Sequence, residues 1–250
     1  ATRVSGGGWG PARPLGAKLP TLRTGRASDT VKVALSAAGV ARVVVANCAG
    51  RCLMTEYRTA VRRLRWVGGK PRRLPAAATA TVQWELSSVG HLVVAWIRPA
   101  PLAIQTIVQR PRDTKPAPPQ VVTGSGGAAA PLDVDLGERG EAAVSWTGAA
   151  GTLQTAVRLP SDLRWRDPRG LVRTAPAAGT RIALACDGSL VAAWIEPGDR
   201  VRATTAAGPG GPFATASNIG IFGDVTKPVS VAPAIVGIAG VVTWARAEQE

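Results

Sequence analysis

A short apolar run ending in tryptophan recurs along this chain: VVAW at Trp96, AVSW at Trp146, VAAW at Trp194 and VVTW at Trp244. An earlier run, VVVAN, ends at Asn47 in the same place, and the successive spacings are 49, 50, 48 and 50 residues. A second marker stands 19 residues further on in three repeats, as Trp66, Trp165 and Phe213. A glycine stands six residues before the first marker in three repeats, as Gly90, Gly140 and Gly188. Three markers kept in step define a unit of about 50 residues, and a period of that length belongs to solenoids and propellers.

Within each unit the pattern is that of strands. The opening segments alternate apolar with polar or small residues: Val31, Val33, Leu35; Val82, Trp84, Leu86; Leu132, Val134, Leu136; Ile182, Leu184, Cys186; Val229, Val231. A period of two gives a strand two distinct faces. A glycine-containing turn follows, then the run to the tryptophan, then a third strand such as IQTIVQ from Ile104 or LQTAVR from Leu153. A polar turn leads to the second marker and a fourth strand. No helical period intervenes. The expected fold is therefore all-β, a five-bladed β-propeller of four-stranded antiparallel blades forming one domain over residues 1–250. The blades are expected near 30–75, 79–124, 128–173, 180–220, and 228–250 together with 1–16. That last pairing closes the ring: VSGGGWGPARPL reads as the end of a blade and VSVAPAIVGIAGVVTWARAEQE as the beginning of one. The marker spacing across the junction is 53 residues. Closure removes the free sheet edges that invite aggregation.

The turns carry a family resemblance. Ser5-Gly6-Gly7-Gly8-Trp9 and Ser161-Asp162-Leu163-Arg164-Trp165 keep the serine and tryptophan of the Asp-box consensus Ser-x-Asp-x-Gly-x-x-Trp, with the spacing shortened. The chain thus resembles the BNR/Asp-box repeats of sialidase-like propellers of secreted bacterial type. The resemblance implies the propeller fold and a secreted or cell-surface protein. It also raises sialidase activity, which in that family uses an arginine cluster, a Tyr-Glu nucleophile pair and an acidic proton donor. The single tyrosine, Tyr57, lies beside Glu56, and adjacent strand residues point to opposite faces, so the pair fits that role poorly.

The chemical inventory is narrow. One histidine, His91, follows Gly90 in a turn and reads as a solvated residue. Cys48, Cys52, Cys186 and His91 lack close zinc-ligand spacing, and Asp133-Val134-Asp135 lacks the rest of a calcium loop. No phosphate-cradling glycine motif precedes a helix. The expectation is no catalytic residue, no metal and no cofactor. Cys48 and Cys52 flank Ala-Gly-Arg and are a disulfide candidate across a tight hairpin, which implies an oxidising compartment. Cys186 reads as a buried thiol. The least polar stretch, residues 233–242, falls short of the roughly 20 residues a membrane span needs.

Charge is uneven. The net formal charge is +14, and a basic patch of Arg58, Arg62, Arg63, Arg65, Lys70, Arg72 and Arg73 carries half of it with no acid among them. The third repeat opens instead with Asp133, Asp135, Glu138 and Glu141, which reads as an acidic flank. Inter-blade connections such as PAAATA from Pro75 and TGSGGAAAP from Thr123 offer no acid, base or nucleophile. Polar groups on that rim come mainly from the turns, Arg51, Arg98, Glu196, Asp199, Arg200, Arg246 and Glu248, with Arg98, Glu196 and Arg246 the candidates for a shallow ligand-binding mouth. Trp84, the one tryptophan outside the two marker positions, is a further candidate. Counted back from the marker, its place is held by Leu35, Val134, Ile182 and Ala232 in the other repeats. The expected function is a non-enzymatic binding or scaffold module for a glycan or another anionic polymer. The alternatives are a sialidase-like glycoside hydrolase and a structural interaction domain of a larger cell-surface protein. Nucleic acid is a weaker expectation, because stacking aromatics outside the repeat positions are scarce.

Overall fold

The computed structural model describes residues 30–35, 40–49, 51–62, 65–68, 72–73, 82–99, 102–113, 115, 117–122, 129–148, 151–172, 178–185, 187–196, 200–208, 211–221, 230–236 and 239–245. Among them are strands and no helix, hence none long and apolar enough to cross a membrane. The first sheet orders β1 (Thr30–Leu35), β2 (Val40–Ala49), β3 (Arg51–Arg62) and β4 (Arg65–Gly68), and β5 (Arg72–Arg73) also pairs with β3. The second orders β6 (Val82–Leu86), β7 (Leu92–Pro99), β8 (Leu102–Gln109) and β9 (Gln120–Val121). The third orders β10 (Ala129–Leu136), β11 (Ala142–Thr147), β12 (Leu153–Arg158) and β13 (Arg169–Val172). The fourth orders β14 (Ala178–Leu184), β15 (Leu190–Glu196), β16 (Arg200–Ala206) and β17 (Ser217–Ile221). In the fifth, β18 (Ser230–Val236) pairs with β19 (Ala239–Ala245). Every pairing is antiparallel, and each sheet is a simple meander along the chain. The strand order expected for a propeller blade is thus present in full in the second to fourth sheets. The first sheet departs from it by its additional short strand.

The chain divides into two compact units, the first holding β1–β5 and the second β6–β19. In the second unit the sheets succeed one another face to face. Strand β10 packs on β6 and β7, β14 on β10 and β11, and β18 on β14 and β15. One core lies between the second and third sheets, where Val93, Ala95 and Ile104 meet Val134, Val144 and Trp146. The next lies between the third and fourth, where Ala143, Leu153 and Val157 meet Ile182, Leu190 and Trp194. Trp146 and Trp194 therefore fill the gaps to their preceding sheets, where a large indole supplies much of the buried apolar area.

The recurrent glycines have a backbone reason. Gly90, Gly140 and Gly188 have φ of 94°, 94° and 82°, a region that L side chains rarely enter. In the third sheet Gly140 N donates to Gly137 O (3.0 Å) and Gly137 N to Glu141 O (2.8 Å). The fourth repeats this with Gly188 N to Ala185 O (2.9 Å) and Ala185 N to Ser189 O (2.8 Å). This is a turn closed by a left-handed glycine and a bulge, a standard antiparallel hairpin connection. At Gly140 space is short as well, because a Cβ there would lie 2.7 Å from His91 Nδ1. His91 is therefore a half-buried packing residue and not the solvated turn residue expected, since the next hairpin closes over its ring. Gly140→Ala is expected to destabilise the protein by about 1–3 kcal/mol through backbone strain and this clash. Gly170→Ala, which meets nothing within 4 Å, should be near neutral; equal urea midpoints for the two variants would refute the assignment.

Register corrects one sequence alignment. Trp84, Val134 and Ile182 each lie opposite the residue two before their marker, Val94, Val144 and Ala192. In the first sheet that place belongs to Val31, opposite Val45, and in the fifth to Pro233, opposite Val242. Leu35 and Ala232 do not hold it, because the connecting hairpins differ in length. Val31 and Val33 are also exposed, whereas Val134 and Leu136, their counterparts in register, are buried.

The acidic flank is likewise mostly turned inward. Asp133 Oδ2 accepts from Ile182 N (2.9 Å) and Asp135 Oδ2 from Leu184 N (2.7 Å). Both carboxylates of β10 thus bond main-chain N–H groups on the edge of β14, the first strand of the next sheet, which would otherwise be left without partners. Glu141 is buried and accepts from Arg139 N (3.1 Å), so of the four acids only Glu138 stands exposed.

Candidate functional site

The second and third strands meet at one end of each sheet, and register aligns the residues there. The tryptophans Trp96, Trp146 and Trp194 lie opposite Gln105, Gln154 and Arg202. Two residues after the tryptophans stand Arg98, Gly148 and Glu196. The same place in three sheets therefore carries three chemistries. In the second sheet Trp96 Nε1 donates to Gln105 Oε1 (3.1 Å), and Arg98 is half-buried at the end of β7. In the third, Gln154 Nε2 donates to Thr152 Oγ1 (3.5 Å), while Gln154 Oε1 is buried without a partner among the described residues.

In the fourth sheet this place holds a charged pair. Glu196 Oε1 accepts from Trp194 Nε1 (3.4 Å) and Glu196 Oε2 from Arg202 Nη1 (3.5 Å). Arg202 Nη2 donates to Ala216 O (2.7 Å), which fixes the guanidinium against the fourth-strand side of the sheet. Side-chain exposures of 28% for Arg202 and 12% for Glu196 place the pair at the surface yet largely out of bulk water. An acceptor-only carboxylate beside a donor-only guanidinium is suited to a ligand offering hydroxyls, each of which both donates and accepts.

Of the sequence candidates, Glu196 is thus in a built cluster, and Arg98 occupies the matching place two sheets earlier. Arg246 and Asp199 lie outside the described residues. Trp84 is 8% exposed, opposite Val94, and so presents little ring to a ligand. Arg202 was not among the candidates; the signal for it is its register opposite Trp194, which depends on the length of the intervening turn. In the basic patch, Arg58 and Arg62 lie in β3, Arg65 in β4, and Arg72 and Arg73 in β5. Arg62 faces Arg65 in register, and Arg72 faces Glu56. Arg63 and Lys70 lie outside the described residues, as do Cys186 and the turn at Ser5–Trp9. Cys48 pairs with Cys52 in register across the β2–β3 hairpin. Glu56 and Tyr57 are consecutive in β3, opposite Val44 and Val43.

The Asp-box-like turn at Ser161–Trp165 joins neighbouring sheets. Trp165 Nε1 donates to Thr106 Oγ1 of the second sheet (2.6 Å), and Gln120 Nε2 of that sheet donates to Leu163 O (2.9 Å). Asp162 Oδ2 accepts from Leu159 N (3.1 Å) and Arg166 Nε (2.9 Å), and the Arg166 bond holds its carboxyl below the ordinary aspartate range. The motif's residues thus act in packing and turn closure.

No family model matches this sequence, and no curated protein matches it. Among solved structures it is similar to AofleA from Arthrobotrys oligospora, at 11% identity over 86% of this chain and 63% of that one, with a TM-score of 0.51. It is also similar to the SapL1 lectin in complex with alpha methyl fucoside, at 10% identity over 87% of this chain and 72% of that one, TM-score 0.51. The chain spans less than two thirds of the length of AofleA. At such identities the likeness is one of fold.

Proposed function

We propose that this protein is a carbohydrate-binding β-propeller module without catalytic turnover, and that the Arg202–Glu196 cluster is a glycan site. The observation that carries the reading is the half-buried guanidinium–carboxylate pair at the sheet end, backed by a buried indole. A fold shared with a lectin bound to alpha methyl fucoside supports it. On this reading Arg98 and Arg246 supply further cations to the same rim, and Trp84 serves in packing between sheets. Five blades close into one ring, with residues 1–16 completing the blade that 228–250 begin; a particle image with any other number of blades removes that count. The protein is secreted or cell-surface, with Cys48 and Cys52 oxidised to a disulfide. Alkylation of both as free thiols without reductant would exclude the bond. The basic patch adds salt-sensitive attraction to anionic polymers, with no sequence-specific nucleic acid contact.

A glycan-array screen at two salt concentrations, run beside hydrolysis assays on fluorogenic sialosides and other glycosides, tests the reading. Binding without turnover is expected, with at least tenfold weaker retention for Glu196→Gln and Arg202→Ala, about 1.4 kcal/mol of lost contact energy. Turnover identifies a glycoside hydrolase instead, and neither binding nor turnover identifies an interaction domain of a larger protein.

A further inference from the structure

The turns from third to fourth strand lie at the opposite ends of these sheets from the Arg202–Glu196 cluster. Two of them are built alike, 49 residues apart. In the second sheet Asp113 N donates to Arg110 O (3.2 Å) and Arg110 N to Asp113 Oδ2 (2.7 Å). In the third, Asp162 N donates to Leu159 O (3.0 Å) and Leu159 N to Asp162 Oδ2 (3.1 Å). Both carboxylates are therefore committed to closing their own turns. The Arg110 guanidinium crosses to the third sheet, where its Nη2 donates to Pro160 O (3.1 Å).

That contact sets Arg110 two residues from Arg158, the last residue of β12. Arg158 lies opposite Ala142 and shares with Ala156 and Val144 the sheet face that packs on the second sheet. Its Nε is buried and has no hydrogen-bond partner among the described residues. Burial, and next the positive charge of Arg110, draw its pKa down, ahead of the opposing pull of Asp162 and Asp113. The fold does not require a cation at this place. The corresponding residue of the second sheet, opposite Leu92, is Gln109, whose amide donates to Lys115 O (3.2 Å). In the fourth it is Ala206, opposite Leu190. A half-buried guanidinium with an idle donor, held beside a second guanidinium, lacks an anion that would take both.

We propose that Arg158 and Arg110 form a binding site for a tetrahedral oxyanion, a sulfate or phosphate monoester carried by the ligand. The planar fork of a guanidinium matches two oxygens of such a group, and a second guanidinium nearby favours a compact dianion over chloride. The site is independent of the glycan reading, since it uses the other sheet ends and none of the same residues.

The test follows the arginine Nε–Hε nuclear magnetic resonance signals of the whole protein during titration with sodium sulfate, against sodium chloride at matched ionic strength. A saturable sulfate shift of the Arg158 signal is expected in the wild type. Binding should weaken at least tenfold in Arg110→Gln, and the sulfate-dependent rise in unfolding temperature should disappear in Arg158→Gln. The glutamine variant copies the residue that the second sheet already accommodates, so it is expected to fold. Glu196→Gln should leave the sulfate response intact even where it abolishes glycan binding, which separates this site from the other. A response no larger than that to chloride, or one retained in both arginine variants, overturns the proposal. Tighter binding of a sulfated disaccharide than of glucose 6-phosphate assigns the group to sulfated glycans, and the reverse order assigns a phosphomonoester; either supports the site.

Discussion

Trp194→Ala is expected to destabilise the protein by about 3–5 kcal/mol, the range for truncating a large buried aromatic. Trp194 is 0% exposed and sits in the core formed with Ala143, Leu153 and Val157 of the third sheet and Ile182 and Leu190 of its own. These neighbours belong to paired strands that cannot close over a void without losing ladder hydrogen bonds, so a cavity remains. Its Nε1 also donates to Glu196, and the truncation frees a carboxylate that Arg202 alone then holds. For a chain of this length a loss of that size lowers the unfolding temperature by roughly 10 °C. Leu163→Ala, at a residue 83% exposed, should change stability by less than about 0.5 kcal/mol. Calorimetry of the two variants checks the contrast, and a Trp194→Ala protein melting within 2 °C (roughly 0.5 kcal/mol) of wild type would show that the indole does not fill the gap between sheets.

The second large effect depends on pH. Burial pushes the Asp133 carboxyl up from 3.8 to about 6, against the opposing pull of the Ile182 amide and Arg181. The native protein therefore holds this proton more tightly than the unfolded chain does. Stability from this group is complete below about pH 4 and falls as pH climbs through about 6, by up to about 3 kcal/mol. Asp133→Asn keeps an oxygen for Ile182 N and removes the buried charge, at the loss of a long pair with half-exposed Arg181 (3.4 Å) worth little in water. The variant should exceed wild type in stability by a margin that grows from pH 4 to pH 6.5 and is constant above. Asp162 and Asp187, whose carboxyls are held low by Arg166 and Ser189, respond in the opposite sense, so the difference between the two proteins isolates the contribution of Asp133. Urea midpoints at five pH values provide it, and parallel curves would overturn the assignment.

Much of the architecture was legible because it is written in local chemistry. A left-handed turn needs Gly90, Gly140 or Gly188, and a gap between sheets needs Trp146 or Trp194; both leave a periodic trace. What was hidden depends on register across a hairpin. Nothing adjacent to Arg202 in sequence marks it, yet it lies opposite Trp194 and holds Glu196. Counting back from the tryptophan misplaced Leu35 and Ala232, because a count does not see that two hairpins differ in length. Asp133 and Asp135 read as a charged surface because carboxylates usually seek water; their partners are main-chain amides 49 residues away, and main chain has no sequence signature.

The junctions between sheets also differ from one another. Thr106 and Trp165 join the second sheet to the third, whereas Asp133 and Asp135 join the third to the edge of β14. At the places of those aspartates the second sheet carries Gln83 and Glu85, and the fourth carries Arg181 and Ala183. Repeats of one shape are thereby made non-interchangeable. A chain of similar units can misassemble by skipping one, and a skipped unit here would leave one buried and one half-buried carboxylate facing the wrong strand. The order of the sheets is thus enforced by polar groups that report a wrong neighbour, while the tryptophans would accept any.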